Sequence, residues 1–387
     1  MLKNGNRMNT PFYYYDMRLL DATLAAVKSA IAPDSSFKVH YAVKANADKE
    51  ILERISAAGF GADCVSGWEI EAALASGFPA KKIVYAGVGK SDNEIILALK
   101  SGIGCFNVES MQELEVISSI ASSLGLTADI ALRVNPNIDA HTHEYITTGL
   151  SENKFGINLD QLDAHISAAI TLPGLNLTGL HFHIGSQITD MEPFAMLCDT
   201  INRLQDLYEA ENIRFRTINV GGGLGIDYVD PTAHPIPDFR RYFGVFGSKL
   251  ILRPGQEVHF ELGRSIVAQC GSLITRVLYI KEGTSRRFAI VDAGFTDLIR
   301  PALYNAYHKI EKAGADYRPV HVSEDTPTLL YDVVGPICES SDCFAKDVNL
   351  PELRRGDLLT IRSAGAYGRV MASQYNLRPI PEGLYKG

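Results

Sequence analysis

From residue 37 to residue 261 the chain repeats one pattern, a short apolar run followed by an amphipathic stretch. The strand-like runs are 37–43, 61–65, 82–86, 104–107, 129–134, 178–184, 216–220 and 257–261, rich in β-branched and aromatic residues. Between most of them lie helical stretches such as 67–76, 91–101, 109–124, 159–170 and 192–211. About eight strands alternating with helices over ~225 residues is the signature of a (β/α)8 TIM barrel. A doubly wound open sheet is the alternative, but it rarely needs so many units.

After about residue 265 the texture changes. Runs 273–281, 288–292, 319–323, 329–334 and 357–362 are strand-like and long helices are scarce. This predicts a second, mostly β domain, sandwich- or barrel-like. Residues 10–16 also read as a strand, ahead of a helix over 17–32, and are a candidate to join that domain. The expected division is 17–264 for the barrel and 1–16 with 265–387 for the β domain. A chain of 387 residues exceeds the usual single-domain size.

The net charge is −8 and there is no basic cluster, which argues against nucleic acid and against an anionic membrane surface. No apolar run approaches the ~18 residues of a membrane span. The first 16 residues are polar, then aromatic, without the apolar core of a signal peptide. The six cysteines are scattered and none forms a Cys-x-x-Cys pair. Free thiols in a cytoplasmic setting are expected.

In such barrels the chemistry sits at the C-terminal ends of the strands. The first strand leads into Lys44, followed by a turn at Ala45-Asn46 and by Asp48 as the N-cap of a helix over 49–58. A lysine amine held against apolar walls loses proton affinity and can form a Schiff base with a carbonyl. The bland alternative is a solvated lysine. The second strand carries Asp63, and the sixth ends in His181-Phe182-His183-Ile184-Gly185-Ser186. The seventh runs into Gly221-Gly222-Gly223-Leu224-Gly225, and the eighth ends in Glu261, followed by Gly263-Arg264.

A glycine-rich loop after a strand can turn backbone N–H groups toward a phosphate, and Ser186 adds a hydroxyl. Glu261 lies in an apolar run, so its carboxylate needs a cationic partner, either Arg264 or a protonated heterocyclic nitrogen. His183 reads equally as a satisfied core histidine. His181 and His183 also have the spacing of a metal pair, since alternate strand residues share a face. No further His/Asp set lies at the other strand ends, and a metal leaves Lys44 unexplained. A Schiff-base lysine, a phosphate cradle and a buried carboxylate together describe a site for pyridoxal 5′-phosphate.

Over nearly its whole length the chain resembles the fold-type III pyridoxal-phosphate decarboxylases. The resemblance is carried by Tyr41-Ala42-Val43-Lys44-Ala45-Asn46, by Phe182-His183-Ile184-Gly185-Ser186-Gln187 and by Gly221 to Gly225. Beyond the barrel it is carried by Arg300-Pro301-Ala302-Leu303-Tyr304, by Gly335 to Asp342 and by Ala364-Gly365-Ala366-Tyr367-Gly368. It implies that Lys44 carries the cofactor, that His183 stacks on its ring, and that Ser186, Gly222 and Tyr367 hold its phosphate. Asp63, Gly221, Gly223, Gly263 and Arg264 fall within the same cofactor set, and Glu261 bonds the ring nitrogen. Cys338 is the implied proton donor. Arg264, Arg300, Tyr304, Glu339 and Tyr367 are the implied substrate readers.

The family also implies a homodimer in which Cys338 and Glu339 reach in from the partner subunit. Paired arginines plus a glutamate suit a small diamino acid whose far end carries both an ammonium and a carboxylate, as in diaminopimelate. The expected reaction is its decarboxylation to lysine. The alternative is a sister decarboxylase acting on carboxynorspermidine, ornithine or arginine. Two positions depart from the family pattern: Leu262 stands where a proline is usual, and Arg369 where the residue is usually small or apolar.

Overall fold

A computed structural model describes residues 8–31, 36–138, 154–323 and 325–387. The expected end of the first helix, residue 32, lies outside them. The chain divides into two compact units. One comprises Thr23–Gly225 with Asp238–Ile266, the other Met1–Ala22, Ile226–Pro237 and Val267–Gly387. In chain order the strands are β1 (Phe12–Asp16), β2 (Phe37–Ala42), β3 (Gly61–Cys64), β4 (Ile83–Tyr85), β5 (Cys105–Val108), β6 (Ala128–Asn135), β7 (Ile157–Asn158), β8 (Leu175–His181), β9 (Thr217–Asn219) and β10 (Glu257–Leu262). There follow β11 (Gly271–Glu282), β12 (Arg287–Val291), β13 (Ile310–Ala313), β14 (Thr328–Val334), β15 (Cys343–Pro351), β16 (Leu358–Ile361) and β17 (Glu382–Lys386).

In the first unit the strands pair in the order β5-β4-β3-β2-β10-β9-β8-β6, and β6 returns to β5. All these pairs are parallel, so the sheet closes into an eight-stranded barrel, with β7 added beside β6. Sequence patterning explains which way β10 faces. Phe260 sits in an aromatic cluster with Phe243, Phe246, Tyr242 and Phe37, at centroid distances of 4.9 to 5.8 Å. That cluster lies on the helix Phe239–Lys249, outside the barrel. Strand residues alternate between faces, so the flanking His259 and Glu261 point inward. Gly61 of β3 lies opposite His40 of β2, and a Cβ there would strike His40 Nδ1 and the Lys82 carbonyl.

The second unit is mostly β. One sheet runs β13-β16-β11-β12-β14-β15, and β1 pairs with both β11 and β17. The long β11 is shared: its first half pairs with β1 and β16, its second half with β12 beyond a bulge at Val277–Tyr279. The expected strand at 319–323 is absent; only an isolated bridge joins Ala313 to Pro319. Proline offers no N–H to a ladder, which limits pairing there. Among the described residues no helix is long and apolar enough to cross a membrane.

Candidate active site

Lys44 follows β2 in a short 3-10 turn, Val43–Ala45, at the C-terminal mouth of the barrel. Gly263, just past β10, lets that strand end close on the same turn, since a Cβ there would meet Ala42 and Ala45 at 3.1 and 3.0 Å. Asp48 occupies the N-cap position of the helix Lys49–Ala57, but its side chain makes no capping bond. The expectation of apolar walls around Lys44 is corrected. Its side chain is 41% exposed, and its Nζ lies 3.6 Å from Asp63. Lys44 sits in the turn rather than in the sheet, with a carboxylate within ion-pair reach.

Asp63, on β3, is fully buried, and neither of its carboxylate oxygens has a hydrogen-bond partner among the described residues. Burial, reinforced by Glu261, raises its carboxyl well above the usual range, and Lys44 only partly offsets this.

Glu261 has the opposite environment. Its side chain is 5% exposed, yet both oxygens are occupied. Oε1 accepts Nδ2–H bonds from Asn107 of β5 (3.1 Å) and Asn219 of β9 (2.7 Å). Oε2 accepts from Nε2 of His181 at the end of β8 (3.0 Å). Burial pushes this carboxyl up, but the His181 imidazole, with Lys44, outweighs it and holds Glu261 far below the usual carboxylate range. The result is a buried, ionised, aimed acceptor.

His181 and His183 therefore do not work as a pair. Nδ1 of His183 accepts the Gly222 N–H at 3.3 Å. Burial, then Arg133 and Lys44, depress the His183 imidazole well below its ordinary range, so it is neutral. Among the described residues no group of three or more His, Cys, Asp or Glu could hold a metal.

Gly221 and Gly223 adopt φ of +71° and +105°, in the left-handed region that favours glycine. A Cβ on Gly222 would collide with the Glu261 carbonyl. Not every loop amide faces outward. Gly221 N–H donates to Asn219 Oδ1 (2.9 Å), Gly222 N–H to His183, and Gly225 N–H to the Ile188 carbonyl (2.9 Å). Ser186 Oγ accepts from Arg264 at 3.0 Å, which leaves its hydroxyl proton to donate. Leu262, where the family has a proline, completes β10 opposite Tyr41 and is buried.

Sequence reasoning missed Asn107 and Asn219 and gave His181 only a metal role. Both asparagines end or nearly end a strand, so the strand-end rule applied to every polar residue finds them. It also finds Arg133 on β6, paired with Glu109 at 2.8 Å.

The second unit gathers another set. Arg300 opens the helix Arg300–Tyr304 and is buried. Its Nε donates to His308 Nε2 and its terminal nitrogen to Tyr228 Oη, each at 3.3 Å. The rings of Tyr228, Tyr304 and Tyr367 lie 5.7 to 6.0 Å from the guanidinium, within cation–π range. Tyr367 has φ of +55°, in a loop whose Gly365 packs on the Val267 carbonyl. Arg369 donates to the Pro381 carbonyl at 2.8 Å. Cys338 and Glu339 are exposed on the loop between β14 and β15. Their carrier loop is closed by Asp342, whose carboxylate accepts the amides of Ile337 (2.7 Å) and Phe295 (2.6 Å).

The barrel-mouth residues fit pyridoxal phosphate. A glycine loop with no room for a Cβ, a serine hydroxyl, an accessible amine and a clamped carboxylate supply what its phosphate, aldehyde and ring nitrogen require. A closed parallel barrel with this set at its strand ends defines a pyridoxal-phosphate barrel. The chain belongs to the pyridoxal-dependent decarboxylases: the family described as "Pyridoxal-dependent decarboxylase, pyridoxal binding domain" matches residues 18–268. It is 55% identical to the diaminopimelate decarboxylase of Bacteroides thetaiotaomicron, over 97% of this chain and 95% of that protein. It is 44% identical to that of Neisseria meningitidis serogroup B, over 95% and 86%. The crystal structure of diaminopimelate decarboxylase from Helicobacter pylori complexed with L-lysine superposes with a TM-score of 0.90 at 42% identity, covering 98% of this chain and 92% of that one.

Proposed function

We propose that this chain releases one carboxylate of meso-2,6-diaminopimelate as CO2 and yields L-lysine, with pyridoxal 5′-phosphate as cofactor. The observation that carries the reading is 55% identity to a diaminopimelate decarboxylase over 97% of the chain. When bound, the cofactor supplies an aldehyde for an amine and a protonated ring that draws off the electron pair left by CO2. The chain supplies the rest. Lys44 holds the cofactor and His183, neutral, packs on the ring. Ser186, the Gly221–Gly223 loop and Tyr367 hold the phosphate, with Asp63 beside Lys44. Glu261, ionised, accepts from the ring nitrogen and keeps it protonated. Cys338 delivers a proton to the product's α-carbon. Arg264 and Arg300 read the distal carboxylate, Glu339 the distal ammonium, and Tyr304 lines the same end.

In this reading residues 17–264 form the cofactor barrel, and 1–16 with 265–387 complete the site and the interface of a homodimer in the cytoplasm. Cys338 and Glu339 serve the site of the second copy. Their exposure supports this, as does the apolar surface of the same unit, where Leu303 and Tyr307 are exposed and Leu377 is 96% exposed. A cavity of about 760 Å³ in the same unit is lined by Tyr307, Lys309, Phe344 and Lys346 among others.

The test is CO2 release from a panel of diamino acids. Diaminopimelate should exceed lysine, ornithine and arginine in kcat/KM by at least about two powers of ten, since a buried charge left without its partner costs roughly 3–5 kcal/mol. Preference for ornithine or arginine would replace this reading with that of a sister decarboxylase.

A further inference from the structure

Three donors from three strands converge on Glu261, and one of them, Asn219, makes a second side-chain hydrogen bond. Asn219 also accepts the Gly221 amide through Oδ1, which ties it to the glycine loop. The backbone carbonyl of Asn107 also accepts from the buried Lys90 Nζ at 2.7 Å. His181 differs. It is 1% exposed, its Nε2 meets Glu261, and its Nδ1 has no partner among the described residues. A histidine retained for packing normally has its buried nitrogens satisfied. This one has a single hydrogen bond, spent on the carboxylate. Because a carboxylate can only accept, Nε2 is the nitrogen that carries the hydrogen.

We propose that His181 is a positioning residue: through its Nε2–H it sets how tightly Glu261 holds a proton, and so on which side the proton shared between Glu261 and the cofactor ring nitrogen rests. The proposal rests on the role given to Glu261 above. A carboxylate that accepts an N–H bond binds a proton less tightly, and one that loses the bond binds it more tightly. Without His181 the shared proton moves along that one hydrogen bond from ring nitrogen to Glu261. No electrons are transferred, and the ring loses the charge that makes it an electron sink.

The test uses the full chain, freed of cofactor and reloaded with pyridoxal 5′-phosphate labelled with 15N at the ring nitrogen. In the wild type the 15N resonance should lie in the protonated range. In His181→Phe it should move toward the unprotonated range, and affinity for the cofactor should fall about 10- to 100-fold, as for loss of one hydrogen bond to a charged group. Borohydride should still fix the label on Lys44. His181→Gln, which can offer an amide N–H at a similar reach, should keep the wild-type resonance. An unmoved resonance in folded His181→Phe overturns the proposal. If that variant does not fold, His181→Asn, polar but too short to reach Glu261, should show the same movement, and an unmoved resonance there overturns the proposal equally. A wild-type chain that fails to take up the cofactor, or binds it with the ring nitrogen unprotonated, overturns the reading of Glu261 itself, whatever the His181 variants do.

Discussion

His40 and Glu261 lie opposite one another in the β2–β10 register, yet their surroundings hold one neutral and the other charged. The clamp around Glu261 supplies donors, so its charge survives burial. His40 has no such clamp. Burial, then the His259 ring at 4.7 Å, lower its proton affinity to a pKa of about 3, from an ordinary 6.5. The sign follows from linkage. Between pH 6.5 and 3 the unfolded chain binds the extra proton and the folded chain does not, so stability falls as pH falls through that window. The full difference is on the order of 4–5 kcal/mol. His40→Gln removes the titration, so its urea midpoint should fall less between pH 7 and 4 than that of the wild type. Parallel pH curves for the two proteins would show that His40 is not what titrates.

At the level of elements, the loop from β14 to β15 is held by one side chain. Asp342 is buried and accepts two backbone amides, so Asp342→Ala leaves the buried Ile337 donor unpaired, at roughly 1–3 kcal/mol, and the part-buried Phe295 donor without its acceptor. The expected outcome is a lower Tm and a large loss of CO2 release, with cofactor labelling of Lys44 intact, because the barrel is untouched. Loss of the Lys44 label would show that the damage is not confined to the loop. The elements also show what could be read in advance. Barrel strands such as Ile83–Tyr85 are buried on both faces and so appear as continuous apolar runs. β15 carries Lys346-Asp347 in its middle, with Asp347 at a φ of +53°, and no such run marks it. The strand-like stretch at 319–323, with valines alternating with His321, misleads because Val320 and Val322 are exposed. The strand-end rule locates Lys44, Asp63 and Glu261, since each belongs to or follows a legible strand. The strand-end rule can find Asn107 and His181 as polar residues, but not that both bond Glu261, 154 and 80 positions away.

At the scale of the whole molecule the reading requires two chains. Lys44 stands on the barrel and Cys338 on the other unit, and the proposal gives each site one residue from each copy. Lys44→Ala cannot hold the cofactor covalently, and Cys338→Ala lacks the acid, whose loss should slow turnover by the ~10²–10⁴-fold typical of general acid catalysis. Neither change touches a large buried side chain, since Lys44 is 41% exposed and Cys338 is exposed, so both variants should fold. Co-expressed in one cell, the two variants would pair into mixed dimers if the proposed homodimer forms. In a mixed dimer one site receives both defects, and the other combines an intact Lys44 with an intact Cys338. Random pairing makes about half of the dimers mixed, each with one good site of two, so activity should recover to about a quarter of wild type. If both residues of a site came from the same chain, every site would carry one defect and co-expression would stay at the level of the single variants. Purified mixed dimers, tagged separately on the two chains, should release CO2 at about half the wild-type rate, and a rate no higher than that of the single variants would place both residues of a site on one chain.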